Sequence, residues 1–166
     1  MDIFEFAKEK EKFSEDYYHQ LAQKTTHEGF VNIFNMLADE EAGHFKVVEE
    51  MQRKQQTPVP ESPILTDAKK VFDSIRVSAE KFDFNISEVQ LYKKARQFEE
   101  ESEAFYRQKA QEAQDQNQKD IFNKLADQEH KHYILMENIY SFAERPQYFL
   151  ENAEIYRFDD YVGGVL

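Results

Sequence analysis

An all-α fold, a bundle of four long helices built as two copies of one αα-hairpin, is what this sequence predicts, and three observations predict it. Glycine and proline, four of each in 166 residues, are too scarce for a turn-dense β fold, and Glu, Lys, Gln, Ala and Leu are abundant. Apolar residues recur at steps of three and four over long stretches. The chain also repeats itself: shifted by 88 residues without a gap, Ala7–Glu49 lies on Ala95–Glu137 with 17 identities in 43 positions, where chance gives about 6%. The matched residues include Glu11/Glu99, Tyr18/Tyr106, Ile33-Phe34-Asn35 with Ile121-Phe122-Asn123, Leu37-Ala38-Asp39 with Leu125-Ala126-Asp127, Glu41/Glu129 and His44/His132.

Taken in order, the first helix is expected over 2–24, where Phe4, Ala7, Glu11, Ser14, Tyr18 and Leu21 form one stripe. Thr25-Thr26-His27-Glu28-Gly29 is a stop and restart. The second helix, over 28–55, carries the stripe Phe30, Phe34, Leu37, Glu41, His44, Val48 and Met51. Three prolines in Pro58-Val59-Pro60-Glu61-Ser62-Pro63 then forbid helix, since each removes a donor and clashes with the preceding turn. Weaker patterning over 67–79 (Ala68, Val71, Phe72, Ile75) follows, and Ser87 with Gln90 three positions on reads as a capping box opening the third helix at 88–113. Asp115-Gln116-Asn117 breaks that helix from the fourth, over 117–143. The organisation is one domain over 1–166: hairpin 2–55, a crossover at 56–87 long enough to travel the length of the bundle, hairpin 88–143, and a tail at 144–166. The tail holds Tyr148, Phe149, Tyr156, Phe158 and Tyr161, an aromatic density that predicts packing on the bundle or on a second subunit. A homodimer is the expected assembly.

A net charge of −12 argues against nucleic acid or an anionic membrane surface as partner, because both are held by clustered Lys and Arg. No run approaches the roughly 18 apolar residues of a membrane span, and no basic-then-apolar leader opens the chain, so a soluble cytoplasmic protein is expected. Zero cysteines exclude disulfides, thiol catalysis and thiolate metal sites within these residues. Any metal must sit on oxygen and imidazole ligands.

Glu11, Glu41, Glu99 and Glu129 lie on the apolar stripes, where an unpaired carboxylate costs several kcal/mol or takes up a proton. Glu41 and His44 are i and i+3, as are Glu129 and His132, so each pair projects from one face. Glu11 and Glu41 each stand 15 residues from position 26 in the first turn, and Glu99 and Glu129 each 15 from position 114 in the second. At ~1.5 Å per residue all four reach one level, about 22 Å from their turns. Four negative charges there repel, whereas two divalent cations neutralise them. Oxygen-rich ligation with one imidazole per ion suits iron, with manganese possible; zinc would bind without redox chemistry. His19, His27 and His130 fall off the stripes and are read as surface residues, and Asp39 and Asp127 point away from the site.

The strings Glu11-Lys12 through Tyr17-Tyr18, Leu37-Ala38-Asp39-Glu40-Glu41 through His44, Glu99-Glu100 through Phe105-Tyr106, and Leu125-Ala126-Asp127-Gln128-Glu129 through His132 resemble the rubrerythrin branch of the ferritin-like superfamily over about residues 2–143. The resemblance implies that Glu41 and Glu129 bridge two iron ions, that Glu11 and His44 complete one and Glu99 and His132 the other, and that Tyr18 and Tyr106 hydrogen-bond ligand carboxylates. It implies reduction of hydrogen peroxide or dioxygen with an external electron donor, in oxidative-stress defence. Two features depart from the pattern. Ser102 stands where classical rubrerythrin has a further glutamate, and a chain without cysteine has no rubredoxin-like iron site. Ala42 follows Glu41 where bacterioferritin has its haem-ligating methionine, so haem is not expected. Two other functions compete with peroxide reduction: a ferroxidase or iron handler, from which iron leaves after oxidation, and a non-catalytic helical interaction module.

Overall fold

The computed structural model describes residues 2–56, 58–78 and 81–151. Six helices run through them: α1 (Ile3–Lys24), α2 (Glu28–Gln52), α3 (Ile64–Val77), α4 (Ile86–Glu112), α5 (Gln116–Glu144) and α6 (Pro146–Glu151), with no strand among the described residues. α1 packs along α2 and α4 along α5, so each copy of the repeat is a hairpin. The two hairpins face each other across an all-α bundle. Tyr18 of α1 reaches Glu99 of α4 while Tyr106 of α4 reaches Glu11 of α1, which sets these two helices antiparallel.

Capping residues fix the boundaries. The Asp2 side chain accepts from the Phe4 N–H at 3.2 Å to open α1, and Asp115 accepts from the Gln118 N–H at 3.0 Å to open α5. The third predicted helix starts two residues earlier than expected, and the expected cap is wrong. Asn85, not Ser87, accepts from the Glu88 N–H, at 2.8 Å, and Ser87 lies exposed inside the first turn of α4. α2 ends at Gln52 rather than 55. Lys54 takes a left-handed conformation (φ 59°), and the Lys54 and Gln55 N–H groups turn back to the Met51 and Glu50 carbonyls, each at 2.9 Å. This is a Schellman stop with lysine where glycine is usual.

The crossover is more ordered than its patterning suggested. α3 buries Ile64, Leu65, Ala68, Phe72 and Ile75 on the bundle. It comes close enough at Gly29 that an added Cβ would meet Val71 Cγ1 at 2.7 Å, so a side chain there would push α3 away. In the tail, Phe149 is buried against Phe72 and Phe142, as expected of a packed aromatic, but Tyr148 is half exposed. Tyr156, Phe158 and Tyr161 lie outside the described residues.

Two apolar clusters fill the interior. One, at the end holding the α1–α2 turn, gathers Phe30, Phe34, Phe72, Tyr92, Phe142 and Phe149; the other gathers Ala7, Val48, Met51, Phe122 and Leu125. Tyr18 belongs to the first and Tyr106 to the second, so the level between them is where the buried carboxylates must sit. The cap correction is directly measurable. Asn85→Ala is expected to cost about 1 kcal/mol in urea unfolding and Ser87→Ala no more than about 0.5 kcal/mol; a larger loss at Ser87 than at Asn85 would return the cap to Ser87.

Candidate metal centre

α1 and α4 each bring one glutamate to that level, while α2 and α5 each bring a glutamate and a histidine from one face. Glu11, Glu41, His44, Glu99, Glu129 and His132 are all at most 3% exposed. They form two overlapping sets, Glu11, Glu41, His44 and Glu129, and Glu41, Glu99, Glu129 and His132, in each of which one ligand atom per residue lies within 4.8 Å of the others. Glu41 and Glu129 belong to both sets, the position a bridging carboxylate needs.

The imidazoles are nearly parallel, with centroids 5.6 Å apart. Nδ1 of His44 stands 3.0 Å from Glu129, 3.3 Å from Glu41 and 3.6 Å from Glu11. Nδ1 of His132 stands 3.1 Å from Glu41, 3.5 Å from Glu99 and 3.6 Å from Glu129. Their Nε2 atoms point outward, to Gln128 Oε1 at 2.6 Å and Glu40 Oε1 at 2.9 Å. An acceptor at Nε2 keeps the proton there, so the neutral ring turns its Nδ1 lone pair inward.

The tyrosines act across the repeat. Tyr18 donates to Glu99 Oε1 at 2.5 Å, and Tyr106 donates to Glu11 Oε1, so each hairpin holds the other's glutamate. Burial, then the surrounding carboxylates, push both phenols well above their usual range, and both stay protonated as donors. Even so, Glu41 Oε2, Glu99 Oε2 and Glu129 Oε2 are buried without a hydrogen-bond partner. An orphaned buried acceptor costs about 1–3 kcal/mol. Two cations among these atoms would satisfy all three, so the donor set fits a pair of metal ions.

Without cations, protons take their place. Burial, then the charges of Glu11 and Glu99, push Glu129 up to about 8, and burial with the charges of Glu129, Glu99 and Glu11 lifts Glu41 well above the carboxylate range. Burial would also raise Glu99, but the His132 charge overrides it and holds Glu99 at about 2; the His44 charge lowers Glu11 in the same way. Burial disfavours charge on His44 and His132, yet the glutamates outweigh it and raise both well above the imidazole range. Two carboxylates then balance two imidazoliums, and the layer is neutral.

A family model described as Rubrerythrin matches residues 2–140. The chain belongs to the rubrerythrin family. No curated protein and no solved structure matched it. The family's ferritin-like, diiron character agrees with the buried ring of glutamates and histidines, and no helix among the described residues is long and apolar enough to cross a membrane.

All six residues singled out in the sequence, with Tyr18 and Tyr106, meet at this one level. Of the five residues read as lying away from the site, three are at the surface as expected and two histidines are not. His19, Asp39 and Asp127 are exposed, the last paired with Arg107 at 2.5 Å. His27 is half-buried between Phe30 and Phe82 rather than on the surface, and His130 is half-buried with its Nδ1 2.8 Å from Glu103. Sequence reasoning missed Glu40 and Gln128 as partners of the histidines. The available signal was that they occupy equivalent positions of the repeat and that both carry an oxygen able to accept a hydrogen bond.

This proton filling has a measurable consequence. Glu41, Glu129, His44 and His132 have folded values raised above their unfolded ones, so their stabilisation is complete at low pH and is lost as pH rises, for Glu129 between about 4.5 and about 8. Glu11 and Glu99, which are lowered, are already fully stabilising above about 4.5 and add no slope there. The metal-free protein should therefore lose melting temperature steadily from pH 5 to pH 9. Protein loaded with divalent metal, whose binding displaces those protons, should instead gain. A metal-free melting temperature that rises over this range would contradict the account.

Proposed function

We propose that this protein binds two iron ions in the glutamate–histidine ring and uses them to reduce hydrogen peroxide or dioxygen, with electrons returned by an external donor. The observation that carries the reading is the sharing of Glu41 and Glu129 between two ligand sets, with one oxygen each of Glu41, Glu99 and Glu129 buried without a hydrogen-bond partner. Glu11 and His44 would complete one metal position, Glu99 and His132 the other, and manganese would fit the same donors. Bound as a pair, iron would supply two electrons, one from each ion, which with two protons from solvent convert hydrogen peroxide to two waters.

The chain's own residues do the rest. Tyr18 and Tyr106 hold Glu99 and Glu11 from opposite ends of the site, restricting the carboxylates to the geometry that the metals need. The two apolar clusters close the ring above and below. Between α1 and α4 the surface opens into a cavity of about 280 Å³, lined by Phe6, Phe13, Phe98, Ser14 and Ser102 among others. Since Tyr18 meets Glu99 and Tyr106 meets Glu11, Ser14 and Ser102 face each other midway between those pairs. A cavity there supports approach of a small oxidant from the α1–α4 side.

We further assign the protein to oxidative-stress defence in the cytoplasm, as a homodimer. A non-catalytic interaction module would leave the carboxylate ring without purpose and at a cost to the core. Peroxidase and iron handler are separated by turnover. Reduced, iron-loaded protein given limiting peroxide under anaerobic conditions with excess reductant should complete many cycles and keep its iron. A single oxidation followed by iron release would make it a ferroxidase instead. Glu129→Ala should lower bound iron from two ions per chain to one or none and reduce peroxide consumption to background. Tyr18→Phe should retain both ions with affinity weakened about 10–100-fold. Stoichiometric iron in Glu129→Ala would sink the assignment.

A further inference from the structure

The ligands obey the internal repeat, but what stands behind the histidines does not. Positions 40 and 128 are related by the 88-residue shift, each one residue before a shared glutamate, and one is Glu while the other is Gln. Glu40 Oε1 meets His132 Nε2 at 2.9 Å, and Gln128 Oε1 meets His44 Nε2 at 2.6 Å. The two hydrogen bonds are alike in geometry and differ in charge.

Both acceptors are braced by the segment that leads into α3. Ser62 Oγ donates to the two Glu40 oxygens at 2.7 and 2.9 Å. Gln128 Nε2 donates to the Pro60 carbonyl, which commits its amide oxygen to His44. Lys131 of α5 donates to the Ser62 carbonyl at 3.4 Å. The Pro-rich crossover thus fixes, from positions two residues apart, the partners of two histidines on different hairpins.

A carboxylate behind an imidazole makes the ring a stronger donor and adds a negative charge beside one metal position. An amide supplies the same hydrogen bond without the charge. Building on the dimetal reading above, we infer that Glu40 makes the Glu99/His132 position the tighter of the two and the first to fill, while Gln128 leaves the Glu11/His44 position weaker. Glu40 and Gln128 are positioning residues: they touch neither metal nor substrate and act through the imidazoles. The near-symmetric ring is thereby made into two inequivalent positions by one carboxylate-to-amide difference.

The test is an anaerobic calorimetric titration of the metal-free full-length protein with ferrous iron. The wild type should bind two ions in steps separated by about tenfold to a hundredfold in affinity. Glu40→Gln, which preserves shape and the hydrogen bond, should weaken the tighter step by a similar factor and leave the other in place, merging the two. Gln128→Glu should merge them from the opposite side by strengthening the weaker step. In the Co2+-loaded protein, where ring N–H protons are paramagnetically shifted, Glu40→Gln should move the His132 N–H signal and not that of His44, a readout that a general loss of packing would not give. Two equal steps in the wild type, or Glu40→Gln shifting both steps alike or neither, would overturn the inference while leaving the dimetal reading intact. Failure of the wild type to bind iron at all would overturn both.

Discussion

Four carboxylates at one depth, enclosed by apolar clusters at both ends, are the constraint around which this bundle is organised. Charge that cannot reach water must be balanced where it lies, and the chain supplies two imidazoles and two phenols for that purpose. Protons complete the balance when no metal is present, and divalent cations would complete it otherwise. The same residues therefore carry the balance in either state of the site. The cost of that arrangement is the set of orphaned oxygens on Glu41, Glu99 and Glu129. Such oxygens are ligand atoms waiting for a second partner.

Duplication explains how so short a chain builds so dense a polar layer. A single hairpin holding one glutamate on each helix and one histidine could not neutralise its own charges or bridge two ions. Two copies set antiparallel supply each half with what it lacks: Tyr18 serves Glu99, Tyr106 serves Glu11, and His44 and His132 each approach the glutamate of the opposite α2 or α5. The contacts that matter most join the hairpins to each other, although the packing of long helices is chiefly within each hairpin. Coupling of this kind ties the integrity of the site to docking of the two halves.

Much of this was legible in the sequence because helix periodicity and the repeat both report on one quantity, the direction a side chain faces. Glu11, Glu41, Glu99 and Glu129 were found because acidic residues on apolar stripes are costly, and their common height followed from counting residues to the turns. Glu40 and Gln128 escaped for the complementary reason. One position off the stripe is a rotation of about 100°, and on a helix taken alone that direction reads as surface. It becomes interior only where the opposite hairpin and the Pro60–Ser62 segment stand beside it. The α4 cap was misassigned because Asn85 and Ser87 are both good capping residues two positions apart, and local sequence does not say which of them turns the chain. The end of α2 was hidden because Lys54 adopts a conformation usually announced by glycine.

The ring has two unlike sides, and the difference bears on chemistry. On the α2–α5 side the histidines, their Glu40 and Gln128 partners and the crossover segment form a continuous hydrogen-bonded wall, in which a change at one residue is felt by the imidazole behind it. On the α1–α4 side the two helices meet through phenylalanine and tyrosine rings, among them Phe13 with Phe98 and Phe6 with Phe105, beside a cavity that ends at Ser14 and Ser102. Hydroxyls of this size leave room that a longer acidic side chain at position 102 would fill. A carboxylate there would add a fifth negative charge beside the layer; serine adds none. The chain therefore places its hydrogen-bonded network on one side of the ring and its cavity on the other, and the charge of the layer is set by the four glutamates together with the two histidines.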